Sequence, residues 1–104
     1  MPTANRGSVW IADLGMAAKV RPCLVLSIPT DPQDRVLVTV VPHTTSLHGT
    51  QYEVDIPTSF LKAGAFDAQQ IATVSQARLI RRLGDLKPAE LSLVEDAVRH
   101  WLGL

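Results

Sequence analysis

The chain is short of several things, and each shortage removes a class of protein. Its 104 residues include one cysteine, Cys23. A disulfide or a cysteine-built zinc site needs at least two thiols, so neither is available within the chain and a reducing compartment is expected. Long apolar runs are missing too: stretches such as Cys23 to Leu26 stop at four residues, against the roughly twenty of a membrane-spanning helix. Met1 to Arg6 is polar, with no cationic segment leading into an apolar one, so no secretory signal and a cytoplasmic location are expected. Net charge is absent, ten Lys and Arg balancing ten Asp and Glu. That argues against the strong positive field of a protein that coats duplex nucleic acid. The histidines at 43, 48 and 100 have no metal-ligand spacing, and no metal or other cofactor is expected. There is no internal repeat or low-complexity segment.

What is present is enough for one core. Hydrophobic residues make up 46% of the chain and seven prolines punctuate it, which suits a single globular domain over 1–104. Ser8 to Leu14, Arg21 to Ile28 and Arg35 to Pro42 are short runs rich in Val, Ile and Leu between Gly, Pro, Asp and Thr clusters, and they read as strands. Gln51 to Ile56 alternates, with Tyr52, Val54 and Ile56 on one face and Glu53 and Asp55 on the other, which predicts a half-buried antiparallel strand. Thr58 to Ala63 reads as a short helical turn ended by Gly64, and Gln70 to Val74 and Arg78 to Leu83 as two further strands around a turn at 75–77. From Pro88 the period changes: Leu91, Val94, Val98 and Trp101 recur at three- and four-residue steps, predicting an amphipathic helix with Pro88 in its first turn and Gly103 as its left-handed cap. The fold class is therefore mainly β with one C-terminal helix, a small curled sheet or barrel sealed by that helix.

Few side chains point to chemistry. Arg21 precedes Pro22, which excludes the helical conformation for it and holds it extended. A guanidinium held that way grips a phosphate, or else pairs with an acidic neighbour such as Asp13. His43, Thr44, Thr45, Ser46 and His48 gather where the third strand ends. Their hydroxyls either donate to an anionic oxygen or satisfy local turn backbone; an imidazole there can exchange a proton near neutral pH. On a strand Thr44 and Ser46 share one face and His43 and Thr45 the other. Cys23 reads as a buried, inert thiol, and Trp10 and Trp101 as core. Arg78, Arg81 and Arg82 do not form one stripe, Arg81 being offset from the other two. Sorting charge by position, 61–87 holds five basic and two acidic residues and 88–104 one and three, so a basic middle segment stands against an acidic helix.

In order along the chain, Arg6-Gly7-Ser8-Val9-Trp10, Val20-Arg21-Pro22-Cys23-Leu24-Val25, Val40-Val41-Pro42-His43-Thr44-Thr45-Ser46, Gln70-Ile71-Ala72-Thr73-Val74 and Arg82-Leu83-Gly84-Asp85-Leu86 resemble the MazF/PemK family, the endoribonuclease toxins of bacterial type II toxin–antitoxin systems. The resemblance implies an SH3-like antiparallel barrel of six to seven short strands, of the kind shared by CcdB and PemK, with a C-terminal helix. It also implies a homodimer, neutralisation by a cognate antitoxin, and metal-independent cleavage of single-stranded RNA by 2′-hydroxyl attack, leaving 2′,3′-cyclic phosphate and 5′-hydroxyl ends. By position it places the catalytic pair on Arg21 and Thr44, with RNA-binding roles for Lys19, Ser46, His48, Gln70 and Thr73. The sequence departs from the family pattern where Gly15 to Val20 is short and lacks an acidic residue, where Ala72 replaces a cation, and where His43 replaces an aliphatic residue. With no loop glutamate, His48 offers an imidazole to accept the 2′-hydroxyl proton. The same departures leave room for a catalytically impaired module that binds RNA or antitoxin; a gyrase-directed toxin of related fold would not need the Arg21–Thr44 pair.

Overall fold

A computed structural model describes residues 4–15 and 19–104; the part of the Gly15-to-Val20 connection at 16–18 lies outside the described residues. Among these residues the order is β1 (Ser8–Asp13), β2 (Val20–Val25), β3 (Leu37–Thr44), β4 (Glu53–Val54), β5 (Ala65–Asp67), β6 (Ala72–Ser75), β7 (Leu79–Asp85) and α1 (Pro88–Leu102). All pairings are antiparallel, in the order β4-β5-β3-β2-β1-β7, with β6 also on β3. β3 organises the sheet because it has three partners: Leu37 to Val40 pair with β6, Val40 to Pro42 with β2, and His43 and Thr44 with β5.

Both faces of the central strands are buried. Val9, Leu24 and Val41 share one core with Phe66 and with Val94 and Val98 of α1. Their neighbours Trp10, Cys23, Val25, Val38 and Val40 turn the other way into a second core. Burial on both faces explains why these strands read as continuous apolar runs rather than alternating ones. The Arg6-Gly7-Ser8-Val9-Trp10 stretch is a structural corner. The Gly7 N–H donates to the Val25 carbonyl at 2.8 Å and its carbonyl accepts from Leu86 at 2.9 Å, while the Trp10 indole donates to the Ser8 hydroxyl at 3.0 Å. Arg6 pairs with Glu95 and ties that corner to α1.

The helix begins and ends where the sequence indicates. Pro88 occupies the first turn and the Lys87 N–H donates to the Glu90 carboxylate at 2.8 Å. Gly103 takes φ 72°, its N–H donating back to the His100 carbonyl. Elsewhere the short elements differ from expectation. Thr58 to Ala63 is an irregular turn, not a helical one, because Phe60 and Leu61 fold inward against the first core. The strand in 51–56 shrinks to Glu53–Val54, though Tyr52, Val54 and Ile56 do share the core-facing side. The two late strands shift to Ala72–Ser75 and Leu79–Asp85, each preceded by a turn of 3₁₀ helix. β5 carried no sequence signal, being three residues long after Gly64. Trp101 is 41% exposed rather than core, its ring edge-on to Tyr52 at 5.3 Å.

Candidate active site

The ladder between β2 and β3 ends at Cys23↔Pro42. Beyond that pair β2 continues alongside β1 alone, Pro22 opposite Ile11 and Arg21 opposite Ala12. β3 instead joins β5, His43 opposite Phe66 and Thr44 opposite Ala65. A proline stands on each strand at the parting, and neither Pro22 nor Pro42 has an N–H to give to the ladder. The two strands therefore fork, and Arg21 and Thr44 occupy its two sides.

The fork opens into a cleft of about 530 Å³. Ile11, Pro22 and Arg81 lie opposite one another across β2, β1 and β7 and form part of its lining. Two irregularities in the β1–β7 register bracket Arg81 and Arg82; such bulges re-aim side chains. Arg81 lines the cleft, whereas Arg82 pairs with Asp85 outside it. The lining residues from 60–62 are Phe60, Leu61 and Lys62. Lys19, Arg21, Lys62 and Arg81 thus put four cations on one concavity that, among the described residues, has no Asp or Glu in its lining. On a molecule of zero net charge this is a local concentration of positive charge.

The end of β3 is fixed by local contacts. The Thr44 hydroxyl accepts from the Ser46 N–H at 3.0 Å, the hydroxyl-to-backbone turn that threonine favours at a chain bend. Because regular strand ends at Thr44, alternation ends there too, and His43, Thr44, Thr45 and Ser46 all reach the cleft. Gly64 lies against this corner: a β-carbon added there would overlap the Thr44 carbonyl and the His43 ring. His43 is 4% exposed, edge-on to Phe66 at 5.1 Å. Burial lowers its pKa, with Asp55 pulling the other way. Lys19 adopts φ 55°, a left-handed conformation uncommon outside glycine, and its carbonyl accepts from the Leu14 N–H at 2.9 Å to close the β1–β2 connection.

Arg21, Thr44, Lys19 and Ser46 therefore come together, while His48, Gln70 and Thr73 do not line the cleft. His48 belongs to a loop clasped by Glu53, whose carboxylate accepts from the backbone N–H groups of His48, Gly49 and Thr50 at 2.6–3.1 Å. Those bonds lower the Glu53 pKa. Thr73 shares a 2.7 Å hydrogen bond with Thr39 across β3 and β6. Cys23 is fully buried and its thiol is pushed up to about 12 by desolvation, against the lowering pull of Arg21. Sequence reasoning missed Phe60, Lys62 and the cleft-facing role of Arg81. The available signal was an aromatic and a cation, Phe60 and Lys62, inside the stretch read as a helical turn between Pro57 and Gly64. Among the described residues no three His, Cys, Asp or Glu side chains gather as a metal site would require.

Solved structures of similar fold exist. An endoribonuclease from a mycobacterial species, solved with its cognate antitoxin, is 28% identical over 100% of this chain and 97% of its own, with TM-score 0.79. A second mycobacterial endoribonuclease is 27% identical over 100% and 95%, with TM-score 0.81. MazF from Deinococcus radiodurans, at 23% identity, matches both chains end to end with TM-score 0.83 and supports the fold. The model of the PemK-like, MazF-like toxins of type II toxin–antitoxin systems matches residues 5–102, and the chain belongs to that family.

Proposed function

We propose that this protein is an endoribonuclease toxin that cuts single-stranded RNA at the β2–β3 fork without a metal ion. The reading rests on one observation: Arg21 and Thr44 stand on the two arms of a fork whose cleft gathers four cations and, among the described residues, no carboxylate. In the reaction the 2′-oxygen gives up its proton and bonds to the adjacent phosphorus, the bond from phosphorus to the 5′-oxygen breaks, and that oxygen leaves as a 5′-hydroxyl with a proton from the Arg21 guanidinium, which regains one from water, while the 2′,3′-cyclic phosphate is released. Negative charge builds on the non-bridging oxygens, where a guanidinium and a hydroxyl can stabilise it. Lys19, Lys62 and Arg81 hold flanking phosphates, and Ser46 adds a polar contact. His43, the imidazole that lines the cleft, takes the proton-accepting role that the sequence offered to His48. Burial favours its neutral form, the one with a nitrogen lone pair to offer, while Asp55 favours the imidazolium that proton uptake would produce. The protein acts in the cytoplasm as a homodimer and is silenced by a cognate antitoxin, as the mycobacterial relative is paired with its own.

The test is cleavage of a long unstructured RNA by purified protein in EDTA, with end analysis of the products. Cyclic phosphate ends are expected, and Arg21→Ala should slow cutting by about 10² to 10³, the size of losing one preorganised donor. An unaltered rate in that variant refutes the assignment. The second reading, an impaired binding module, draws on the engagement of the Thr44 hydroxyl with Ser46; turnover by substoichiometric protein eliminates it.

A further inference from the structure

We propose that Phe60 is a stacking platform for one nucleobase of the bound strand, with Lys62 and Arg81 on the phosphates beside it; this rests on the RNA-cleaving reading above. The chain has five Phe, Tyr and Trp residues, all within the described segments, and Phe60 alone lines the cleft. The others are engaged elsewhere: Trp10 and Phe66 are buried, and Tyr52 and Trp101 pack together at α1. Phe60 is only half-buried. Its inner edge rests against the first core and against β7 at Gly84, where an added β-carbon would fall on the ring. The absence of a side chain at Gly84 is what lets the ring settle on the strand while still facing the cleft.

Charge decides which side of the ring a nucleic acid takes. Phe60 is a wall between two concavities. The smaller, about 300 Å³, sets Asp85 and Glu90 against one cation, Lys87, and so offers phosphate less than the larger does. The larger presents Lys62 and Arg81 with Arg21, Lys19 and Thr44, and no carboxylate among the described residues. Adjacent strands lie about 4.8 Å apart, so β7 lies about 10 Å from β2, and Gly84, in line with Val9 and Leu24, is three residues or about 10 Å further along the strands from Arg21. That separation seats the base a nucleotide or two along from the scissile phosphate. A cationic groove with an aromatic face is the arrangement that binds single strands, since every base has a π-face.

The experiment measures binding of a fluorescein-labelled RNA 8-mer, methylated on its 2′-oxygens so that it is not cut, by anisotropy. Phe60→Leu keeps the apolar packing and removes the ring. It should weaken binding by about 5- to 150-fold, the range for loss of one base–aromatic stack, while Phe60→Trp stays within about threefold of the parent. An abasic scan of the same oligomer should find one position at which wild type loses that same factor and Phe60→Leu loses nothing further. Because the scan is made on the wild-type protein, it remains decisive if the leucine variant folds poorly. Wild-type binding that is indifferent to every abasic position, or equal binding by Phe60→Leu and wild type, overturns the platform and leaves cleavage standing. Failure of wild type to bind or cut any RNA overturns both.

Discussion

The four cations of the cleft fix a number that salt titration reads directly. Each phosphate neutralised on a single strand contributes a slope of about −0.7 to log affinity against log salt. If Lys19, Arg21, Lys62 and Arg81 each hold one phosphate, the slope is about −2.8, and raising salt from 50 to 200 mM weakens binding about 50-fold. Lys62→Met removes one contact, so the slope should flatten to about −2.1 and the same salt step should cost about 18-fold. Arg81→Met should behave alike. Arg82→Met is the control: one residue along β7, Arg82 pairs with Asp85 and does not line the cleft, so its loss should leave the slope where it was. Anisotropy titrations of the 2′-methylated 8-mer at five salt concentrations give the slopes. A wild-type slope near −1, or equal flattening by Arg82→Met and Lys62→Met, would show that the cleft is not where the phosphates lie.

Three further outcomes follow from the same geometry. Gly64→Ala forces a methyl into the Thr44 carbonyl and the His43 ring; overpacking of this kind costs about 1–3 kcal/mol, so the melting temperature should fall by at least about 4 °C, and an unchanged melt refutes the contact. Burial holds His43 below the ordinary histidine pKa, so below about pH 6.5 the unfolded chain binds a proton that the folded chain resists, and stability drops as acid is added. Urea titrations should show a smaller loss between pH 7.5 and 5 for His43→Leu than for wild type, and parallel curves count against the burial effect. The Cys23 thiol, at a pKa of about 12, should resist iodoacetamide at pH 8 by mass spectrometry in the native state and react fully in urea; rapid native labelling contradicts its burial.

The parts of this fold that declare themselves in sequence are those whose signal is local and repeated. Val94 and Val98 return at helical spacing, and both ends of α1 carry their own marks in Pro88 and Gly103. The three apolar strands are legible because burial on both faces fills most of their central positions with apolar residues. β5 was not legible: three residues are too few for a period, and its strand character comes from pairing with β3 and β4. Pro22 and the strand exit draw attention to Arg21 and Thr44, and the family resemblance makes them a pair, whereas the gathering of Lys62 and Arg81 in the same cleft is a product of tertiary folding across β7 and the turn after Pro57. Glu53 shows the opposite error. In an alternating pattern it reads as a solvent-facing strand residue, yet it clasps three backbone N–H groups of the loop before it, because its strand is too short to occupy it.

The fork at Cys23↔Pro42 also has a mechanical meaning. The two arms that carry Arg21 and Thr44 are levers sharing one pivot, and that pivot lies in the second core, where Cys23 packs with Trp10, Val25 and Val40. The aperture between guanidinium and hydroxyl thus depends on interior volume behind the fork as well as on the Ser46 and Gly64 contacts that fix the end of β3. A close-packed core barely compresses, so the gap is backed by a stiff interior. Substitutions near Cys23 that never touch RNA will open or narrow the site from behind.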